Sequence, residues 1–432
     1  MSGPPAYCAI DFGTSNSAIA VPRPGRAMRL VELEPGYPTM PTAVFYAAEG
    51  GVHERPRCEF GRAAVAAYVD GIDGRLMRSM KSILGSTLIE QTTDIGSGRA
   101  VRYLDVVATY LEHLKRRAEA EAGATISRAI FGRPVFFVDD DPARDALAEA
   151  ALRRAARRAG FRDVEFQYEP IAAAFDYERG VQREEKVLVA DIGGGTSDFS
   201  VVRVGPLRAG RSERKDDILA NHGVHVAGTD FDRRVELKSI LPLLGYGAFG
   251  IATASAPPRE VPSGVYFDLA TWHLINTVYN PQRIAELRAM RSFYADPVRH
   301  RRLMTVVTQR LGHELLGRAE TAKIAVAEGG RAEIDLGHVE LQLMAELDEA
   351  RARDALESDL ERIVAAARTT VRQAGLASVD ALYFTGGSTG LRLLADRLQG
   401  AFPAARPVRG DRFASVATGL ALHAARRFGA PR

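Results

Sequence analysis

Two short stretches carry residue types suited to holding phosphate and a hydrated cation: Asp11-Phe-Gly-Thr14 and Asp191-Ile-Gly-Gly-Gly-Thr196. Phosphate oxygens need several backbone N–H donors at close range, and a turn with little side-chain bulk supplies them. Gly193, Gly194, Gly195 and Thr196 form such a turn. An aspartate ending the preceding strand can hold Mg²⁺ through its water shell, because this ion dehydrates reluctantly. Asp11 and Asp191 are placed for that role. Each stretch alone is equally an ordinary glycine-rich hairpin turn with a capping Asp; one in each half of the chain favours nucleotide phosphate. No Gly-Lys-Ser/Thr closes either stretch, and the pattern after Gly195 continues as a strand, so neither a Walker loop nor a dinucleotide fingerprint fits.

The elements that must position these turns repeat. Tyr7 to Val21 and Val187 to Val201 both read as strand, turn, strand, with an apolar run, an Asp, a Gly/Thr turn and renewed alternation. Long helical patterns from about Pro142 to Arg158 and from about Ala350 to Gln373 each end at Ala-Gly (Ala159-Gly160, Ala374-Gly375), where a positive φ is expected. Strands follow at Val164–Tyr168 and Ala381–Phe384. Hairpin, then helix and strand, once per half, predicts two related α/β lobes, 1–185 and 186–432. Gly205 to Asp217 reads as a polar hairpin loop, Ala252 to Gly264 as an exposed connection, and Lys115 to Glu121 as a solvated helix face.

At 432 residues and 46% hydrophobic content the chain is long enough for two large lobes. Its 57 basic side chains nearly balance 54 acidic ones, so no field draws it to nucleic acid or anionic membranes. With only Cys8 and Cys58, no apolar run of spanning length, and an amino terminus (Met1-Ser-Gly-Pro-Pro) without a signal pattern, a soluble cytoplasmic protein is expected.

In the order of its motifs the chain resembles the heat-shock protein 70 (DnaK-type) family of the actin, hexokinase and heat-shock ATPase superfamily. Ile10 to Ser15 and Asp191 to Asp198 resemble its phosphate motifs, Phe384-Thr-Gly-Gly-Ser-Thr389 its adenosine motif, Glu169-Pro-Ile-Ala-Ala-Ala174 its interlobe signature, Gly228-Thr-Asp-Phe-Asp232 its Gly-Gly-x-Asp-Phe-Asp, and Tyr37-Pro-Thr-Met-Pro41 its Pro-Ser stretch. The resemblance implies an actin-like (ribonuclease H-like) ATPase fold of two lobes around a cleft that binds ATP or ADP with Mg²⁺. It further implies that Asp11, Glu169 and Asp191 hold the water shell of Mg²⁺, and that Lys81, Glu169, Asp191 and Thr196 form the catalytic set. Asp11, Gly13, Thr14, Ser15, Gly193 to Thr196, Gly228, Glu320, Lys323, Gly386, Gly387 and Ser388 would contact the nucleotide. Lys81 would orient the attacking water and the γ-phosphate. Pro134 resembles an interlobe relay and is equally a strand-ending proline.

The chain departs from this family in two ways. Ile324 and Gly390 stand where the resemblance places arginines stacked on adenine, a contact worth roughly 0.5–2 kcal/mol each; either Arg392 substitutes or nucleotide affinity and base preference are changed, and Ile324 is also read simply as filling the core. The chain stops soon after the last helical pattern, so no peptide-binding domain is expected, as in shortened YegD-type members, which share a stretch like Pro262 to Trp272. That stretch is read as a lobe-specific insertion or, alternatively, a partner patch around an exposed Trp272. A slow ATPase of chaperone type with protein partners or co-chaperones is the leading expectation. The alternatives are a nucleotide switch or actin-like filament protein, and a small-molecule kinase using Asp198 or Asp230 as base.

Overall fold

The computed structural model describes residues 6–23, 26–50, 54, 56–138, 141–211, 213–251, 257–410 and 415–429. The amino-terminal stretch 1–5, part of the expected exposed connection (252–256) and the final residues 430–432 lie outside them.

Two mixed sheets share one plan. In the first, the hairpin strands Ala6–Phe12 and Asn16–Arg23 are antiparallel, Arg26–Leu30 extends the hairpin side, and Ile126–Arg133 and Asp163–Tyr168 continue the other side in parallel. Thr39–Pro41 also pairs with the second hairpin strand. In the second sheet, Glu185–Ile192 and Ser197–Val204 form the hairpin, Ile218–Val224 extends it, and Ala381–Thr385 and Arg406–Arg409 follow in parallel. The duplication read from the hairpins is therefore a duplication of whole sheets.

One correspondence differs from expectation. The counterpart of Ala381–Thr385, next to the hairpin, is Ile126–Arg133, whereas Asp163–Tyr168 corresponds to the edge strand Arg406–Arg409. The Ala-Gly signal could not distinguish them, because helix-ending glycines with positive φ occur before both strands of the first sheet, at Gly123 (φ 62°) and Gly160 (φ 94°), and before Ala381 at Gly375 (φ 68°).

The helices form where apolar residues recur on one face. Tyr103–Ala122 and Pro142–Arg158 bury Leu111, Leu114, Leu152 and Ala155 under the first sheet; Glu349–Gln373 and Arg392–Ala401 bury Leu356, Leu360, Leu394 and Leu398 under the second. The Asp141 and Asp348 side chains cap two of these helices by accepting the N–H of Arg144 and Arg351. Between the sheets lies a layer of two helices, Glu169–Glu178 and Ser415–Phe428, whose Ile171, Phe175, Val416 and Leu420 pack with Ala9, Ile130, Val189 and Tyr383. The last helix thus returns to the strands of the first sheet. Its Gly419 lies against the backbone of Ala172, so closely that a Cβ would stand 1.8 Å from the Ala172 carbonyl oxygen.

Outside these layers, helix Gly61–Val69 covers a three-stranded sheet of Ala43–Ala47, Cys58–Phe60 and Gly74–Arg78. The helical region from Glu236 to Ala325 has its own core, joined by the hairpin Arg331–Asp335/Met344–Asp348. Pro262 to Trp272 contributes the short helix Gly264–Leu269 to that core through Val265, Tyr266 and Leu269.

One local expectation is corrected and two are refined. Ile324, offered as core, is 63% exposed. Gly205 to Asp217 does join two antiparallel strands, but its Arg214 is fully buried, with both guanidinium ends on Glu178 (2.9 and 3.0 Å) and a further bond to Asp217. Arg116, Arg117 and Glu121 are exposed, as a solvated face requires, but Lys115 is 11% exposed and pairs with Glu119 at 2.5 Å, with its ammonium 5.8 Å from the centre of the Phe161 ring.

Candidate functional site

The two Asp-to-Thr turns lie at the same end of their sheets and meet. A Cβ on Gly194 would come within 2.6 Å of Ser15 Oγ, and one on Gly13 within 2.3 Å of the Asn16 carbonyl oxygen. The first turn needs glycine at Gly13 for this close backbone approach, whereas Gly194 makes room for the Ser15 side chain. Thr42 braces the first: its hydroxyl donates to the Gly13 carbonyl at 2.8 Å, and its N–H to the Ser15 carbonyl at 2.9 Å. The second is held by the Gly193 N–H on the Thr196 carbonyl (3.0 Å) and by Thr229, whose N–H and hydroxyl both donate to the Gly194 carbonyl at 2.8 Å. Thr14, Gly195 and Thr196 are partly exposed in the turns.

Asp11 and Asp191 end the central strands, and Asp191 stands opposite Asp198 and Thr385 in the ladder. Glu169 opens the helix Glu169–Glu178, where the helix N-terminus favours a carboxylate. Lys81, on a short turn after strand Gly74–Arg78, reaches it with a 2.5 Å ion pair, both side chains largely buried. One ammonium therefore serves several carboxylates. Burial works against the charge on Lys81, but Glu169, Asp11 and Asp198 outweigh it and hold its pKa above the ordinary value. Burial, reinforced by Glu169, pushes Asp11 up to about 7. Asp191 is pushed up to about 8, by burial first and then by Asp198, Glu169 and Asp11. Negative charge is in excess here, and a cation would relieve it.

On the other side of the second turn, the Ser388 hydroxyl donates to the Gly193 carbonyl at 2.7 Å, and the Gly228 N–H reaches the same oxygen at 3.2 Å. Gly386 has φ 86° and would clash with Ile192 and Asp191 if it carried a Cβ; Gly387 is exposed. Lys323 donates to the Gly228 carbonyl (3.4 Å) and pairs with Asp232 at 2.6 Å. Burial pushes Asp232 up to about 6, with Lys323 opposing. Glu320 is exposed one turn earlier on the same helix, Gly312–Ala325. Arg392, proposed as a substitute cation, turns instead to Glu349 at 2.8 Å, while its N–H is pinned to the Ala327 carbonyl. Pro134 directly follows the end of strand Ile126–Arg133. Asp230 caps its own helix by accepting the Ala227 N–H.

Thr42 and Asp232 are structural contributors that motif reading left without a role. Thr42 follows the Tyr37 to Pro41 stretch directly, and Asp232 closes Gly228 to Asp232; their position beside two recognised motifs was the available signal.

A model of the family described as Hsp70 protein matches residues 7–238, more than half of the chain. The chain belongs to the Hsp70 family. Its two matched sheets are accordingly those of the actin-like ATPase fold, and the family is one of ATP- and ADP-binding proteins. Relatives of this Hsp70-family chain include the chaperone protein DnaK of Thermosipho melanesiensis, 31% identical over 230 residues, with 52% of this chain and 34% of the relative covered. A chaperone protein HscA homolog of Aromatoleum aromaticum is 32% identical over 243 residues (52% and 36%), and DnaK of Stenotrophomonas maltophilia 28% over 243 residues (52% and 36%). The match spans about a third of these relatives' length. Among the described residues, no helix is long and apolar enough to cross a membrane.

Proposed function

We propose that the cleft between the two sheets binds Mg²⁺·ATP, with the phosphates against Gly13 to Ser15 and Gly193 to Thr196, and that ATP is slowly hydrolysed there. The observation that carries this reading is the meeting of two equivalent glycine turns around one lysine: Gly194 against Ser15, with Lys81 and Glu169 paired among their aspartates. Among the described residues, no group of three acidic, His or Cys side chains is arranged to hold a metal ion directly. The ion would be hydrated, held by Asp11, Glu169 and Asp191 through water, because Mg²⁺ dehydrates reluctantly and the crowded carboxylates leave an excess of negative charge that a cation would relieve. When bound, Mg²⁺ supplies positive charge against the phosphates. Lys81 orients the attacking water and offsets charge developing on the transferred phosphoryl group, where positioning and electrostatics dominate. Gly228, Glu320, Lys323, Gly386, Gly387 and Ser388 take the adenosine side, with Lys323 exchanging its bonds to Asp232 and Gly228 for the ribose.

The lobes would divide as 1–185 and 186–432, with the helix Ser415–Phe428 crossing back to the first. Protein partners would read the open or closed state of the cleft, in a chaperone-type cycle, and the Pro262 to Trp272 stretch supports a place near the YegD-type members. The test is Mg²⁺-dependent phosphate release from ATP by the wild type, Lys81→Ala and Asp191→Asn. Each substitution is expected to lower turnover by about 10²–10³-fold. A wild-type protein that does not bind ATP ends the proposal, and binding without turnover leaves a nucleotide switch in its place. Phosphate appearing on an added metabolite would select a kinase, against which the capping role of Asp230 already argues.

A further inference from the structure

The single tryptophan of the chain belongs to the second half but packs against the first. Trp272 stacks on Tyr68, from helix Gly61–Val69, with ring centroids 5.1 Å apart and planes 25° from parallel. The guanidinium carbon of Arg78, the last residue of strand Gly74–Arg78, lies 4.2 Å from the centre of the indole. His313, near the start of helix Gly312–Ala325, completes the group edge-on, 5.1 Å from Trp272 and 5.5 Å from Tyr68. Burial pushes the imidazole of His313 down to about 4, so it is neutral at physiological pH and adds no second positive charge beside Arg78. A stacked pair and a cation over an indole are both attractive contacts, and more so when water is excluded.

From this cluster the chain runs directly into the proposed site. Ser79 adopts φ 54°, an uncommon value for a residue with a side chain, and Met80 is buried, so the chain leaves the strand along a fixed path. Lys81 comes next and meets Glu169 at 2.5 Å. A contact between the two halves, at Arg78, is thus only three positions from the lysine of the proposed site. At the other end of the same arrangement, helix Gly312–Ala325 carries His313 in its first turn and Lys323 in its last.

We propose that Trp272 is a positioning residue: it clasps Arg78 and Tyr68 across the cleft and, through the Arg78-to-Lys81 turn, couples closure of the two halves to the placement of Lys81. Opening the cleft removes the indole from Arg78, frees the end of the strand and lets Lys81 lose its aim. The inference rests on the proposed ATP site.

The sole tryptophan makes the test direct. Acrylamide quenching of the intrinsic emission is measured on the full chain with and without Mg²⁺·ATP, alongside retention of radiolabelled ATP, its release rate and its single-turnover hydrolysis. Quenching is expected to fall when Mg²⁺·ATP binds. Trp272→Ala should release nucleotide about tenfold faster and hydrolyse bound ATP about tenfold more slowly. Trp272→Phe should recover most of both, and Arg78→Ala should repeat the loss, with the double variant no worse than either single. ATP that binds and is hydrolysed by wild type, with quenching unchanged and both alanine variants behaving as wild type, overturns the clasp and leaves the proposed function standing. Faster release with unchanged single-turnover hydrolysis overturns the link to Lys81. Absence of ATP binding overturns both proposals together.

Discussion

Replacing Gly419 by alanine tests how the two halves of the molecule are joined. The added Cβ would lie 1.8 Å from the Ala172 carbonyl oxygen, 2.5 Å from its carbon and 3.0 Å from its Cα. All three are backbone atoms in the middle of helix Glu169–Glu178, so no rotamer change relieves the clash. The helices must part by roughly 1.5 Å, a cost of about 3 kcal/mol, at the upper end for overpacking a core. In a protein of 432 residues each kcal/mol lowers the Tm by only about 1 °C. The same movement reaches the site, because Glu169 begins the displaced helix one turn before Ala172. A misplacement of about 1 Å can cost 10²-fold in rate, so single-turnover hydrolysis of ATP should fall by that order while nucleotide binding weakens less. Gly400→Ala is the control: it lies in helix Arg392–Ala401 with no atom within 4 Å of the new Cβ, and should be neutral or stabilising by about 0.4–1 kcal/mol. Differential scanning calorimetry and phosphate release on the two variants decide the matter. If Gly419→Ala melts and hydrolyses like Gly400→Ala, the reasoning about this helix pair is wrong.

Two other perturbations probe buried charge. Glu178→Leu leaves the buried guanidinium of Arg214 with Asp217 as its remaining carboxylate and removes the acceptor of the Gly205 N–H; it should destabilise by about 3–5 kcal/mol in urea unfolding, and a loss under about 1 kcal/mol would mean the network is solvated. Glu236 is fully buried, and neither carboxyl oxygen has a hydrogen-bond partner. Burial, then Asp232, raises its pKa well above the ordinary carboxylate value. The folded state therefore keeps a proton that the unfolded state releases, so stability is full below the ordinary carboxylate pKa and is lost as pH rises toward the raised folded value. Glu236→Leu should stabilise the protein more at pH 8 than at pH 5.5, read from urea midpoints; a gain independent of pH would show that Glu236 does not titrate in this way.

Much of the proposed site could be read along the chain because its requirements are local. A phosphate turn needs glycine where the backbone must approach closely, and an Asp at a strand end needs only the strand's alternation to be located; hence Asp11, Gly13, Asp191 and Gly193 to Thr196 could be read directly. Helix-ending glycines were equally local, and for that reason could not say which strand of a sheet each one preceded. The family resemblance implied only that Lys81, Glu169, Gly193 and Ser388 belong to one site; the pairing of Lys81 with Glu169, 88 residues away, and the bond from Ser388 to Gly193, 195 residues away, came from the fold.

By itself, then, the sequence determined the two hairpins, their glycine turns and the repeated α/β pattern, since backbone sterics and hydrophobic periodicity act between near neighbours. The tertiary structure alone decided that Ile324 faces solvent, that Arg214 lies in a buried ion network, that Gly419 seats one crossing helix on another, and that Trp272 reaches Arg78 and Tyr68. Those outcomes depend on how finished elements pack, and packing is set by shape and burial between residues that no spacing along the chain brings together.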